Sequence, residues 1–407
     1  MHIIYIHQYF TLPSNAGGTR SYDLAKRFIE AGHKVTMITG SGWLKNFAPY
    51  TEKWTVKEHE GIDLHILDLH YDQKQNFSQR IKTFMGFMYE ASKYIMKMDG
   101  DVVLATSTPL TIAVPALFKA MRHRKPFIFE VRDVWPEAPV AIGAIKNKAA
   151  ISLLRKFEQF TYRKSKHIVA LSDDMKSSII SRTDTPTAKV SVIPNISELR
   201  RFENAEPGRD LIKSLIGFQP QKSLLYAGTL GQVNGLKFLV DIAIRTQKCD
   251  EDIIFLVLGD GNEKADLKRY AAEKGVLDKN LFFLNPVPKA MLPQLYAEVS
   301  VASSFVIPVK ELWANSANKF FDSLAAGKPI LINYEGWQAN VIREQNIGFV
   351  FDYRADNMAH ETMRFVKYIN DDVLLAEQGK NARRVAEEKY SLDIASKQYL
   401  KILENVV

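Results

Sequence analysis

Short runs of Val, Ile, Leu and Phe recur along the chain, seven in its first half and six in its second, with amphipathic stretches of helical length between them. The first set is "HIIYIHQYF", "HKVTMITG", "IDLHILDL", "DVVLATST", "PFIFEVRD", "HIVALS" and "KVSVIPN"; the second is "KSLLYAGTL", "IIFLVLGDG", "LFFLNP", "SVASSFVI", "KPILINY" and "GFVFDY". Such runs barely alternate with polar residues, so they suit strands covered on both faces. Segments such as "SYDLAKRFIEAGH" and "ADLKRYAAEKG", closed by Gly32 and Gly275, read as the intervening helices. Strand and helix in strict alternation predict parallel, doubly wound α/β sheets, two of them in one chain.

Periodicity fades over "ISELRRFENAEPGRDLIKSLIGFQPQKS", where Pro207, Gly208 and Pro220 gather. This predicts a first domain over 1–195, a linker over 196–220, a second domain over 221–385 and a C-terminal helix over 386–407 that returns to the first domain. Three glycine turns follow strands: "NAGGTR" after the first strand, "AGTLGQVNG" after the first strand of the second half, and "LGDGNE" after the next. Ligands of doubly wound sheets bind at the carboxyl ends of strands, so the three turns are expected to line one cleft. None matches GxGxxG or GxxxxGK[ST], which disfavours a dinucleotide dehydrogenase and a Walker-type ATPase. A glycine turn that opens a helix still brings backbone N–H groups to an anion.

The 407 residues, 46% hydrophobic and 25% charged, describe an ordinary globular chain. Its one cysteine, Cys249, has no intramolecular partner, and no Cys/His cluster has zinc spacing. A reducing cytoplasm is the expected compartment. No signal-peptide pattern opens the chain, and no apolar run reaches the ~18–20 residues of a spanning helix. Charge is uneven. From Lys74 to Lys166 there are 17 Lys and Arg against 7 Asp and Glu, an excess above the net +8 of the whole chain. Within "FSQRIKTFMGFMYEASKYIMKM", Phe77, Phe84, Phe87, Met88 and Tyr94 interleave with Arg80, Lys82 and Lys93. That pattern fits a helix lying on an anionic bilayer and equally a core helix with a basic back. No recognised nucleic-acid-binding module is present.

Six stretches in order, "YIHQYFTLPSNAGGTRSYDLAKRFIEAGHKVTMIT", "EVRDVWPE", "VIPN", "YAGTLG", "LGDG" and "SANKFFDSLAAGKPIL", resemble the glycosyltransferases of family 4, and especially their WbuB-like branch, which builds bacterial surface polysaccharides. The resemblance implies a GT-B fold and transfer with retention of configuration. It implies a sugar nucleotide as donor and no metal or other cofactor. The Asp pair in "SDDM" sits at an expected helix start and reads as a cap, and that in "NDD" sits in an expected helix-linking turn. By closest resemblance the donor is a UDP-N-acetyl-amino sugar such as UDP-N-acetyl-L-fucosamine. The acceptor is a polyprenyl-diphosphate-linked saccharide, reached at the inner face of the plasma membrane.

Carried over residue by residue, Lys319 in "SANKFFD", with Ser316 and Asn318 beside it, stands at the nucleotide's phosphates. Asp322 stands where the family has a Glu on the ribose. The plainer alternative is an i,i+3 ion pair between Lys319 and Asp322 on a helix. Val287 and Pro288 stand at the base. Two departures matter: Ala314 replaces a family carboxylate, and Thr229 and Asn234 replace family cations. Gly17, Gly18, Arg20, Gly228, Thr229, Asn234, Gly259 and Gly261 are then expected to receive the donor. In "EVRDVWPE" the family His is Arg132. Asp133 is the first candidate for accepting the acceptor's proton, Glu130 the second, and Arg132 a phosphate contact. A UDP-sugar 2-epimerase and a non-catalytic nucleotide-sugar-binding subunit are the competing readings.

Overall fold

The computed structural model describes residues 1–15, 17–44, 47–69, 77–205, 210–354, 356 and 358–407. Lys74, Pro207, Gly208 and the side chain of Phe77 lie outside the described residues. The chain divides into two compact units, Met1–Pro194 with Ala314–Ser316 and Leu392–Val407, and Asn195–Trp313 with Ala317–Ser391.

The first unit holds eight strands: β1 (His2–Ile6), β2 (Lys34–Gly40), β3 (Trp54–His59), β4 (Ile62–Leu67), β5 (Val102–Thr106), β6 (Phe127–Val131), β7 (His167–Ala170) and β8 (Val190–Val192). They lie in the order β3-β4-β2-β1-β5-β6-β7-β8, all parallel except β3, which runs antiparallel to β4. Chain order reverses at β1, which pairs with β2 on one side and β5 on the other. Ile3, Ile4, Tyr5 and Ile6 are all buried there, because helices cover both faces. β3 escapes the sequence reading for the opposite reason. It is an edge strand with Val56, Lys57 and Glu58 exposed, and its pattern is that of a loop.

Of the helices around this sheet, α1 (Arg20–Glu30) opens after the first glycine turn. α2 (Phe77–Ile95) and α3 (Ala113–His123) bury Phe87, Ala91, Ile95, Ala116 and Leu117 in the core above β1, β5 and β6. The helix Leu392–Val406 belongs to the first unit. Its Tyr399 ring meets Phe28 of α1 edge-on at 6.1 Å, and its Asp393 pairs with Arg27 at 2.7 Å.

The second unit holds β9 (Lys222–Ala227), β10 (Ile253–Leu258), β11 (Leu281–Leu284), β12 (Val301–Ser304), β13 (Ile330–Ile332) and β14 (Gly348–Val350). All are parallel, in the order β11-β10-β9-β12-β13-β14, so chain order reverses at β9. Where the sequence suggests a linker, the described residues carry short helices at Leu199–Phe202 and Leu211–Ile216. Phe202 and Ile212 are buried in the second core, and the Glu298 carboxylate accepts hydrogen bonds from the backbone N–H groups of Leu211 and Ile212. Residues 386–391 also stay with the second unit, so the return begins at Leu392.

Candidate functional site

In the first unit, the segments leaving β1, β2, β5 and β6 surround a hollow of about 210 Å³ lined by His7, Tyr9, Thr11, Gly17, Gly18, Trp43, Thr108, Arg132 and Asp133. Gly17 has φ +128°, a conformation a side chain resists, so the turn ahead of α1 needs glycine there. The Arg132 guanidinium donates to His7 Nε2 at 3.3 Å. Burial first, and then the charge of Arg132, hold the His7 pKa well below its ordinary value, so the ring is neutral and accepts. Asp133 is exposed and takes a 2.6 Å hydrogen bond from the Thr108 hydroxyl. An open carboxylate beside a cation and two glycines offers both a proton acceptor and an anion contact.

Two residues expected at this site lie beneath it instead. Glu130 is 0% exposed and Arg20 is 3% exposed. Arg20 Nε donates to Glu130 Oε1 at 2.7 Å, and its Nη2 donates to the carbonyl of Ile193 at 2.8 Å. Its Nη1 donates to the carbonyl of Pro194. The hydroxyls of Thr106 and Tyr399 donate to the same carboxylate. Burial alone would raise the Glu130 pKa, but Arg20, Arg132 and the two hydroxyls outweigh it and bring it down to about 2. Such a carboxylate is a poor proton acceptor, and its guanidinium partner has no free face for a phosphate. Glu130 and Arg20 therefore form a structural pair, which corrects their expected roles. Glu137 lies in a separate network with Arg155 and Arg182.

The segment carrying Ala314 also belongs to the first unit. Its carbonyl accepts from the Ser172 hydroxyl at 2.7 Å, and its methyl packs on the first core. Ser172 also caps the helix Asp173–Thr183, and Asp371, between the helices Met358–Ile369 and Asp372–Val385, caps the second of them, so the first Asp pair opens a helix and the second lies where two helices join. Among the described residues no group of three His, Cys, Asp or Glu has metal-binding geometry.

In the second unit, the turns after β9 and β10 lie backbone to backbone. Leu230 N–H donates to the carbonyl of Asp260 at 2.9 Å, and Glu263 N–H donates to that of Leu230 at 3.0 Å. A Cβ on Gly259 would sit 1.9 Å from the Gly228 carbonyl oxygen, and one on Gly261 would sit 2.2 Å from that of Leu230. Both have positive φ, +150° and +157°. The neighbouring turn accounts for these glycines, in place of the expected ligand contact. Gly259→Ala is expected to destabilise the second unit by about 3 kcal/mol or more, because backbone, unlike a side chain, has no rotamer to yield. Urea unfolding measures this, and a loss under ~1 kcal/mol would contradict the packing argument.

The helix Asn318–Ala325 starts beside these turns. Its Lys319 reaches over the Tyr226 ring, 5.0 Å from the centroid, into the space left by Gly228, where a Cβ would lie 2.6 Å from Lys319 Cε. Burial lowers the Lys319 pKa to about 8, with Asp322 opposing and Lys289 assisting. Thr229 is exposed, and its carbonyl accepts from the Tyr226 hydroxyl at 2.7 Å and from Asn234 Nδ2 at 2.9 Å. Asn234 thus braces the turn. Val287 is half-buried against the core and Pro288 is exposed beside it. Ser316 is buried in the first unit's segment, and Asn318 is half-buried at the helix start.

Sequence reasoning missed Lys289, which is buried and ion-paired with Asp322, and Tyr399, whose partner Glu130 lies 269 positions away. A lysine after "NPVP" and a tyrosine in an amphipathic helix carry no local signal for either role.

Comparison with known proteins agrees with this arrangement. Residues 17–201 match the family described as Glycosyltransferase Family 4, and residues 221–367 match Glycosyl transferases group 1. The chain is 24% identical over 271 residues to the probable glycosyltransferase WbjE of Pseudomonas aeruginosa, covering 65% of this chain and 66% of that protein. It is 25% identical over 276 residues to the putative colanic acid biosynthesis glycosyl transferase WcaI of Escherichia coli K12, covering 65% and 67%. The match thus spans about two thirds of the length of these curated relatives. Among solved structures, sucrose-phosphate synthase from Thermosynechococcus elongatus superposes with a TM-score of 0.75 at 14% identity, covering 100% of this chain and 98% of that one. WaaG, a lipopolysaccharide glycosyltransferase, gives 0.68 at 15% identity over 97% and 98%. With two doubly wound sheets, and with its first half matched to Glycosyltransferase Family 4 and its second to Glycosyl transferases group 1, the chain is a glycosyltransferase of GT-B fold.

Proposed function

We propose that the chain transfers a sugar from a UDP-sugar to a polyprenyl-diphosphate-linked saccharide during surface-polysaccharide synthesis, with retention and without a metal. The donor is an N-acetylated amino sugar of the N-acetyl-L-fucosamine type, as in the WbuB-like branch. The observation that carries this is Lys319. Among the described residues its ammonium makes no ion pair, and it lies over an aromatic ring where β9 and a helix start meet. A cation held so is suited to a departing diphosphate, whose growing charge it stabilises. The N–H group at Thr229 supplements it, whereas that of Gly228 donates to the Leu258 carbonyl at 2.9 Å.

Asp133 assists by accepting the acceptor hydroxyl's proton, while a phosphate oxygen of the leaving group takes the rest of that load. Arg132 holds a phosphate of either substrate. Relatives lend chemistry to this reading. One is named for transferring galactose from UDP-Gal to a diphosphoundecaprenol-linked sugar and is 22% identical over 260 residues. Anabaena HepE, with a TM-score of 0.69, is described in complex with UDP and glucose.

The lipid acceptor gives α2 and α3 a use. Ile81, Met85 and Tyr89 on α2 and Phe118 and Met121 on α3 are exposed, with Lys82, Lys93 and Arg122 exposed among them. Such a surface suits an anionic leaflet, and no described helix is long and apolar enough to cross a membrane.

Mass spectrometry of the protein incubated with a panel of UDP- and GDP-sugars, with and without a bacterial lipid extract, tests the reading. Acceptor-dependent UDP release with a glycosylated lipid is expected. Conversion of a UDP-sugar to its isomer without lipid would establish the epimerase instead, and no turnover of any donor would favour the binding subunit.

A further inference from the structure

Lys319 and Asp322 stand three residues apart on one helix face, the spacing at which a lysine and a carboxylate ordinarily pair. Here they do not. Asp322 Oδ2 instead accepts from Lys289 Nζ, with both side chains less than 10% exposed. Lys289 comes from the loop after β11, just ahead of the helix Leu292–Glu298. The ammonium of Lys319 is left with the Tyr226 ring as its neighbour and no carboxylate on it.

We propose that Lys289 is a positioning residue for the anion site at Lys319: it takes the Asp322 carboxylate as its own partner and so leaves the Lys319 ammonium for the ligand. The proposal rests on the reading that Lys319 meets the donor's diphosphate. It follows from competition for a single carboxylate. A buried carboxylate needs a cation, and two are within reach on different elements. Were Lys289 absent, Asp322 would take the i−3 lysine on its own helix, and the site would present a neutral pair to an incoming anion.

The groups around Lys319 are few: Tyr226 from β9, Asp322 from its own helix, Lys289 from the loop and, behind Asp322, Tyr296 of the helix Leu292–Glu298. Gly228 contributes no side chain. Burial already lowers the Lys319 pKa, and Lys289 lowers it further by like-charge repulsion. Removing Lys289 therefore both deprives Lys319 of its freedom and raises its pKa. A lysine of merely structural importance would not produce that second effect.

Calorimetric titration of UDP into the full chain from pH 7 to pH 9.5 tests this with four proteins: wild type, Lys289→Met, Lys289→Arg and Lys319→Ala. Lys289→Met is expected to weaken UDP binding ~10-fold or more, the loss of one charge-assisted contact. Its binding should also persist to higher pH than that of the wild type, whose affinity falls as pH rises through about 8. Lys289→Arg keeps a cation on the Asp322 carboxylate, leaves Lys319 free and should bind within about threefold of wild type. Wild-type affinity in Lys289→Met, or a Lys289→Arg variant as weak as Lys289→Met, overturns the positioning role. If Lys289→Met does not fold, Lys289→Gln, which keeps a polar group against Asp322 without a charge, takes its place with the same expected loss, and wild-type affinity in it overturns the proposal. If UDP fails to bind the wild type, or binds Lys319→Ala equally well, the donor-site reading falls and takes this one with it.

Discussion

Lys319→Ala is expected to lower kcat by ~10²–10³ with the donor saturating, and kcat/KM by more, while leaving the fold intact. Three features set that size. The ammonium is partly withdrawn from water, so its field on a neighbouring phosphate is weakly screened. No described carboxylate pairs with it, so its charge is not already neutralised. Thr229 and Asn234 bring no cation to the turn after β9, so no second charge in that turn shares the load. Because burial brings its pKa down to about 8, the protonated, ligand-competent form is lost as pH rises through that value. Donor affinity should fall on that limb in the wild type and be flat there in the alanine variant. Steady-state kinetics at several pH values checks both. An alanine variant within threefold of wild type would remove Lys319 from the chemistry.

Glu130→Ala carries the largest expected cost to stability, about 3–5 kcal/mol, because it strands the Arg20 guanidinium in the first core. The hydroxyls of Thr106 and Tyr399 lose their acceptor in the same step. The acid limb follows from the same geometry. With a folded pKa of about 2 against an ordinary 4.5, Glu130 contributes stability that is fully present above pH 4.5. That contribution, roughly 3 kcal/mol, is lost as pH falls toward 2. Urea unfolding of the first unit at pH 7 and pH 3 should show wild type and Glu130→Ala converging at the lower pH. A variant as stable as wild type but inactive would return Glu130 to the role of proton acceptor.

All the parallel strands are legible in the sequence, since a strand covered on both faces is mostly apolar, as in Ile253–Leu258, and no turn residue interrupts even Phe127–Val131, which carries the buried Glu130. β3 is not, because half of its surface faces water and the polar residues that satisfy water also mark loops. The site is legible only where one short stretch carries it. "SANKFFD" brings Lys319 and Asp322 to one helix face, and that much is local geometry. Which partner Asp322 takes depends on Lys289, 33 positions earlier and on another element. Arg20 illustrates the opposite error. An arginine at the mouth of a helix after two glycines has the look of an anion contact, and only Glu130, 110 positions on, turns it inward. Gly259 and Gly261 mislead likewise, since a glycine kept clear for a ligand and one kept clear for a neighbouring backbone are written with the same letter.

The Tyr399 hydroxyl on Glu130 also fixes an order of events at the ribosome. Residues 1–194 emerge first, yet the helix that completes their core, Leu392–Val406, emerges only after the whole of the second sheet has been made. At ~5–20 residues per second, that delay of about two hundred residues lasts roughly 10–40 s. Throughout it, Phe28 lacks its covering ring and the buried Arg20–Glu130 pair lacks one of its hydroxyl donors. The second sheet, nearly continuous in sequence, is free to finish within that interval. The half of the protein that is synthesised first is therefore the half that matures last, and nascent-chain quality control meets it with one face of α1 still bare.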